Sequence, residues 1–110
     1  MENEEHKFGI GDYLSADDYK VDEIITIKVV DFLGRQKYTA RDNKEKMAGM
    51  YKIELPSMGV RQEFRLGIKN EKLVAKKYGI KSYEELVGRQ LSLKVKSFQI
   101  ANGFVVVGVK

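Results

Sequence analysis

The sequence predicts an all-β domain interrupted by one helical insert, on three observations. Alternating apolar and polar residues mark strands on both sides of residues 69–88, the only segment with a 3.6-residue apolar period. This segment also carries capping residues, with Asn70 as the predicted N-cap and Gly79 as the predicted left-handed C-cap. Ser82 followed by Glu85 matches a capping box for a second short turn.

Composition sets the class of protein. The chain has 110 residues, enough for one domain, and an apolar fraction of 43% suits a packed core. It contains no cysteine, which excludes disulfides and thiolate chemistry and suits a reducing compartment. No apolar run approaches the ~20 residues that span a bilayer, and the start MENEEHKFG lacks the apolar core of a secretory signal. We expect a cytoplasmic protein with no membrane partner, a disordered acidic tail over residues 1–7 and one domain over residues 8–110.

The net charge of +4 hides an uneven distribution along the chain. Residues 1–31 hold nine acidic side chains and three lysines, a net −6, whereas residues 32–110 hold seventeen basic and seven acidic side chains, a net +10. A basic region of this kind suits a polyanion such as nucleic acid, and it serves solubility equally well. The acidic start is expected either to repel or to mimic such a polyanion.

Five strands follow from the apolar alternation, and they span residues 21–33, 50–55, 60–68, 91–96 and 104–109. The polar residues 34–46 are predicted to form a long loop or a flexible hairpin tip. In the third strand Phe64, Leu66 and Ile68 share the inner face, while Arg61 and Arg65 lie on the opposite, exposed face.

Three strands, a helix and two further strands form the element order of the OB-fold, a five-stranded Greek-key barrel in which the helix closes one end. An SH3-like barrel is the main alternative, but it usually lacks a helix of two turns or more at this point. A small α+β sandwich is the third possibility.

The second half of the chain also resembles a known family. The residues that carry the resemblance are Asn70, Leu73-Val74-Ala75, Tyr78-Gly79, Ser82, Glu85-Leu86-Val87-Gly88-Arg89, Leu91, Leu93 and the turn from Phe98 to Asn102-Gly103. They resemble small OB-fold proteins of phages and archaea that are associated with single-stranded DNA. The resemblance covers about the last fifty residues, and Leu86 departs from it because an aromatic residue is expected there. It implies a binding module without catalysis.

The inventory of side chains argues against an enzyme. The only histidine, His6, lies in the predicted tail, so a histidine-based triad or a multi-histidine metal site cannot be assembled. The acidic pairs Asp17-Asp18 and Glu84-Glu85 fall at predicted helix starts, where carboxylates favour the helix dipole. We therefore expect no catalytic residues, no cofactor and no metal.

A binding site is predicted on one face of the barrel. OB-fold ligands cross the outer face of the second and third strands, between the first and last hairpin loops. The nucleic-acid-binding residues predicted on that geometry are Lys28, Arg35, Lys37, Tyr38, Arg41, Lys52, Arg61, Arg65 and Phe98. Cations interleaved with aromatic rings suit a single strand, because phosphates require positive charge and unpaired bases stack on rings at ~1–3 kcal/mol per base.

Each of these residues also has a structural interpretation. Tyr38 suits a loop anchor, Phe98 suits closure of the barrel, and the two arginines of the third strand suit a solvated ladder with Glu54 and Glu63. The helix lysines are expected to be solvated rather than part of the binding face; they are Lys72, Lys76, Lys77 and Lys81.

Three functional hypotheses remain open. The leading one is non-catalytic binding of single-stranded DNA or RNA, DNA being favoured, with weak sequence preference. The second is a protein-interaction module or adaptor subunit that uses the barrel face or the edge of the fifth strand. In the third, the acidic start folds over the basic face and competes with nucleic acid.

Overall fold

The computed structural model describes residues 13–39, 43–99 and 101–110. In these ranges the strands are β1 (Ile24–Thr39), β2 (Glu45–Leu55), β3 (Val60–Leu66), β4 (Gln90–Ser97) and β5 (Asn102–Val109). One α-helix, α1 (Ile68–Tyr78), and a 3-10 turn (Tyr83–Leu86) connect β3 to β4, and another 3-10 turn (Ala16–Asp18) precedes β1. The predicted β chain with one helical insert after the third strand is confirmed, whereas the tail predicted over residues 1–7 lies outside the described residues.

The five strands form one antiparallel sheet in the order β3-β2-β1-β4-β5. β1 belongs to both halves of this sheet, because its start pairs with β4 and the part beyond Lys28 pairs with β2. Two register shifts interrupt the β1–β2 ladder, and such irregularities bend and twist a strand. The resulting curl brings the two edge strands together, and the rings of Phe64 in β3 and Phe104 in β5 lie 6.3 Å apart.

The chain before β1 covers the outer edge of β3. Tyr13 forms a parallel bridge with Glu63, and the Leu14 amide donates a hydrogen bond of 2.9 Å to the Glu63 carbonyl. Farther along, the Tyr19 ring packs edge-on against Phe104, with 6.3 Å between centroids. This segment therefore bridges the two edges of the sheet, which are not hydrogen-bonded to each other.

α1 covers the outer edge of β5 through one side chain. The side-chain Nδ2 of Asn70 donates a hydrogen bond of 2.8 Å to the Phe104 backbone carbonyl. The Val106 backbone amide donates one of 3.1 Å to the side-chain Oδ1 of Asn70. The prediction of Asn70 as the N-cap is wrong, because the helix begins earlier, at Ile68, with Gly67 in the N-cap position. A carboxamide carries the donor and acceptor of a peptide group, so Asn70 pairs with β5 as a neighbouring strand residue does.

The core lies inside the curled sheet and is closed by α1 and the Tyr83–Leu86 turn. Its most completely buried side chains come from all five strands and the Tyr83–Leu86 turn: Ile27, Val29, Tyr51, Ile53, Leu66, Leu86, Leu91, Leu93, Val95 and Val106. Phe64 and Leu66 of the third strand are buried here, as predicted. Ile68 is an exception with 54% exposure, because β3 ends at Leu66 and Ile68 already belongs to the helix. Gly79 ends α1 with φ of 71°, as predicted.

Residues 34–46 were predicted to form a long loop or a flexible hairpin tip, and the structure shows a strand pair over most of them. β1 continues to Thr39 and β2 begins at Glu45, with a ladder running from Gly34↔Met50 to Thr39↔Glu45. β3 pairs with β2 only as far as Gly49, so residues 36–39 and 45–48 form a two-stranded ribbon, here called the arm. Apart from Ala48 at its base, the described residues of the arm are exposed or only half-buried, and their pairing therefore leaves no apolar alternation in the sequence. No helix in the described ranges is both long enough and apolar enough to cross a bilayer.

Replacement of Asn70 by alanine tests the connection between α1 and the edge strand β5. Asn70→Ala removes both hydrogen bonds to β5 and leaves a partly buried carbonyl and amide without their partner. We expect the free energy of unfolding in urea to fall by about 1–3 kcal/mol and the Val106 amide to exchange faster with solvent. Lys76→Ala, on the exposed side of the same helix, is the matched control. Equal stability of the two variants would contradict this role.

Candidate nucleic-acid interface

The outer face of β1, β2 and β3 is a checkerboard of opposite charges. The strand register aligns two rows across the three strands, Lys28–Glu54–Arg61 and Asp31–Lys52–Glu63. Signs alternate within each row and between the rows, so the six side chains carry no net charge. Lys28, Lys52 and Arg61 were predicted to bind nucleic acid. For Arg61 the register supports the alternative of a solvated ladder with Glu54, and it also places Lys28 opposite Glu54 and Lys52 opposite Glu63.

Tyr38 and Arg65 come together farther along the same face. The guanidinium carbon of Arg65 lies 4.0 Å from the centroid of the Tyr38 ring, which is a cation–π contact. Ala48 and Met50 share this outer face of β2 but are only 2% and 3% exposed. The contact forms because β3 ends beside the base of the arm, where Arg65 is opposite Met50.

A second cation and ring meet at the β4–β5 loop. The Phe98 side chain is 47% exposed, and the Lys69 ammonium lies 5.8 Å from its ring centroid. The ring rests against Gly103, where an added Cβ would lie 3.0 Å from the Phe98 ring. A glycine at this position therefore lets the ring pack directly on the β5 backbone.

The two contacts lie at the ends of one short segment. Arg65 and Lys69 are four residues apart, so their Cα atoms are separated by at most ~13 Å. Ile68 between them is 54% exposed. We call Tyr38, Arg65, Ile68, Lys69 and Phe98 the cation–ring band.

The remaining predicted residues lie on the arm or outside the described ranges. Lys37 is exposed on the arm, on the face opposite Tyr38. Arg35 lies at the base of the arm and interacts with the Tyr83 hydroxyl. Arg41 lies outside the described residues. Lys69 was missed, because its position beside Phe98 depends on how α1 packs against β5.

An aromatic cluster supports the base of the arm. The Phe32 and Tyr83 rings stack at 4.9 Å with an interplanar angle of 3°, and the Tyr51 hydroxyl donates to the Tyr83 carbonyl at 2.8 Å. The Tyr83 hydroxyl donates in turn to the Glu71 carboxylate at 2.7 Å. A Cβ at Gly49 would lie 2.6 Å from the Tyr83 ring, so only glycine admits this stack.

Burial changes the acidity of both tyrosines in this cluster. Desolvation raises the pKa of Tyr51 above its ordinary value of 10.0, and Tyr83, Glu84 and Glu71 raise it further. Desolvation and the hydrogen bond to Glu71 likewise raise the pKa of Tyr83, while Arg35 opposes that shift. Both hydroxyls are therefore protonated at neutral pH and available as hydrogen-bond donors.

Comparisons with protein-family models, with curated proteins and with solved structures find no match. Across residues 13–39, 43–99 and 101–110, no three His, Asp or Glu side chains group in a way that could hold a metal ion.

Alkaline unfolding tests the buried Tyr51 hydroxyl. Above pH 10 the unfolded chain loses the Tyr51 proton while the folded chain keeps it, so the free energy of unfolding falls as pH rises toward the folded pKa. At pH ~8, Tyr51→Phe should lower the free energy of unfolding by about 1 kcal/mol, because the hydrogen bond to the Tyr83 carbonyl is lost. Above pH ~10, the free energy of unfolding of Tyr51→Phe, measured by urea titration, should fall less steeply with pH than that of the wild type. Tyr13→Phe, which removes an exposed hydroxyl, is the control. Equal alkaline slopes for wild type and Tyr51→Phe would contradict the assignment.

Proposed function

We propose that this chain is a non-catalytic OB-type barrel that binds single-stranded nucleic acid along the cation–ring band. The observation that supports the proposal most is the pair of cation–aromatic contacts, Arg65 with Tyr38 and Lys69 with Phe98, at the two ends of one five-residue segment. The sheet order β3-β2-β1-β4-β5, with α1 after β3, is the order that an OB barrel requires.

The chemistry of the band matches the parts of a single strand. Arg65 is exposed, so a base can stack on the side of its guanidinium plane that faces away from Tyr38. Phe98 offers a half-exposed ring for a second base, and Lys69 beside it supplies charge for a phosphate. Contacts to ring faces and to phosphates do not read base edges, so weak sequence preference follows.

The charge distribution favours the band over the checkerboard. Positive charge on the checkerboard is offset by Glu54, Asp31 and Glu63, whereas Arg65 and Lys69 lie beyond these rows. Beside the band, Lys46 lies opposite Tyr38 on the same face of the arm, and Lys44 lies just before the second strand of the arm. A strand that crosses the band toward the arm therefore meets cations in succession.

Protein binding through a sheet edge is the weaker candidate. The outer edge of β3 already pairs with Tyr13 and Leu14, and that of β5 already pairs with Asn70. Each edge strand therefore already has backbone groups paired near its middle, at Glu63 in β3 and at Phe104 and Val106 in β5, and an added partner strand would have to displace these contacts. The preference for DNA over RNA rests on the family resemblance alone, and competition by the acidic start stays a hypothesis.

Salt dependence and two matched arginine variants test the proposal. We expect oligo-dT binding, measured by fluorescence anisotropy, to weaken steeply as salt rises, because counterions are released on binding. Arg65→Gln should weaken binding at least about tenfold and lower the salt slope by about 1, whereas Arg61→Gln on the same face of β3 should change it less than about threefold. Absence of binding at low salt would refute the function, and equal effects of the two variants would move the site to the checkerboard.

Stacking is tested at the two rings. Tyr38→Ala and Phe98→Ala should each weaken oligo-dT binding by about 1–3 kcal/mol, the cost of one base stack, with little change in the salt slope. Tyr38→Phe keeps the ring and should retain most of the affinity. Full affinity in both alanine variants, with the fold intact by circular dichroism, would show that neither ring carries a base.

A further inference from the structure

A cavity of about 200 Å³ opens between α1 and the Tyr83–Leu86 turn, away from the cation–ring band. Its apolar lining comes from the core side of the helix, the sheet and the turn: Tyr51, Leu66, Val74, Ala75, Ile80, Tyr83 and Leu86. Lys72 and Lys81 line it as cations, together with Glu71 and Ser82. The volume is below the ~300–1,000 Å³ of typical small-molecule sites, and it suits one large apolar side chain.

The uncharged polar groups of this lining already have partners. The Tyr51 hydroxyl donates to the Tyr83 carbonyl, the Tyr83 hydroxyl donates to the Glu71 carboxylate, and the Ser82 hydroxyl donates to Glu85. A nucleobase inside the cavity would therefore leave its own edge groups unpaired, at a cost in free energy. An apolar side chain carries no such groups and fits the lining better.

Among the described residues, the charged groups near the opening are four cations and three carboxylates, a net charge of +1, and the two lysines of the lining outnumber its one carboxylate, Glu71. Lys72 and Lys81 line it, Lys76 is one turn from Lys72 on the same helix, and Arg35 reaches the Tyr83 hydroxyl. The carboxylates of Glu71 and Glu85 are engaged in hydrogen bonds within the cluster, and Glu84 on the turn is the remaining acid close by.

We propose that this cavity is a docking site for an acidic peptide segment of a partner protein, which inserts one large apolar side chain between α1 and the turn. The apolar side chain of the peptide fills the cavity, and acidic residues next to it in the peptide pair with Lys72 and Lys81. The proposal gives a role to Lys72 and Lys81, which the proposed nucleic-acid binding does not use, and it stands whether or not the chain binds nucleic acid.

A peptide titration of the full chain tests this proposal. The probe is a short synthetic peptide of Asp and Glu with one central Phe, and the matched probe has Ser in place of that Phe. With ¹⁵N-labelled protein, we expect the Phe peptide to shift the amide signals of Ala75, Ile80 and Tyr83 in a saturable way, and the Ser peptide to bind at least about tenfold more weakly.

Variants of the protein separate the anchor from the charge. Ala75 is exposed at the cavity, so Ala75→Phe fills it without changing the core and should abolish specific binding of the Phe peptide. Lys72→Glu with Lys81→Glu should weaken binding at least about tenfold. Lys77→Glu, on the same helix but outside the lining, is the control for a single charge reversal and should change binding less than about threefold.

Three outcomes would overturn the proposal. One is equal binding of the Phe and Ser peptides, which would show a charge effect without an anchor. Another is unchanged binding to Ala75→Phe, which would place the peptide elsewhere. The third is displacement of the Phe peptide by oligo-dT from the same amide signals, which would assign the cavity to nucleic acid instead.

Discussion

Two hydrogen bonds between the Asn70 side chain and the β5 backbone connect the two ends of the curled sheet through α1. β3 and β5 end the sheet on opposite sides and do not pair, so the curled sheet needs another connection between its edges. Asn70 supplies it immediately after β3, with bonds of 2.8 and 3.1 Å to the β5 backbone. This contact fixes the start of α1 against β5, and with it the position of Lys69 beside Phe98.

The same constraint determines the two candidate sites. With the start of α1 fixed, its first turn faces the β4–β5 loop, and its later turns cover the core beside the Tyr83–Leu86 turn. The first turn of α1 places Lys69 beside Phe98 and so completes the cation–ring band. The later turns leave the cavity, lined by Val74 and Leu86, between the helix and the Tyr83–Leu86 turn. In the band, Tyr38, Arg65 and Lys69 are on or next to regular elements, which hold side chains more rigidly than loops do, whereas Phe98 lies in the β4–β5 loop.

The basic charge of the chain is organised into distinct surfaces. Net positive charge in residues 32–110 suggests one polyanion-binding face, yet the outer face of the first three strands alternates in sign. The excess lies at the band, on the arm and along α1. The aromatic cluster of Phe32, Tyr51 and Tyr83 joins these surfaces, because it packs the base of the arm against the turn that follows the helix.

Much of the fold follows from the sequence, because its signals are local. Apolar residues that recur every two residues in a strand, or every 3.6 residues in a helix, indicate which side of that element faces the core. Gly79 ends α1 because its left-handed backbone conformation favours glycine. The candidate site was predicted only in part: Tyr38, Arg65 and Phe98 were named from residue type and strand order. The arm was missed as a strand pair, because polar residues that pair without burial leave no pattern.

By itself, the sequence determined the order of elements, the inward-facing residues and the absence of cysteine, which follow from residue type and spacing. Four features are visible only in the folded chain: the checkerboard, the contact of Arg65 with Tyr38, the approach of Lys69 to Phe98 and the hydrogen bonds of Asn70 to β5. These depend on strand register and on packing between residues far apart in the chain. A single-residue shift in register moves every side chain to the other face, and local patterns do not specify it in a polar ribbon.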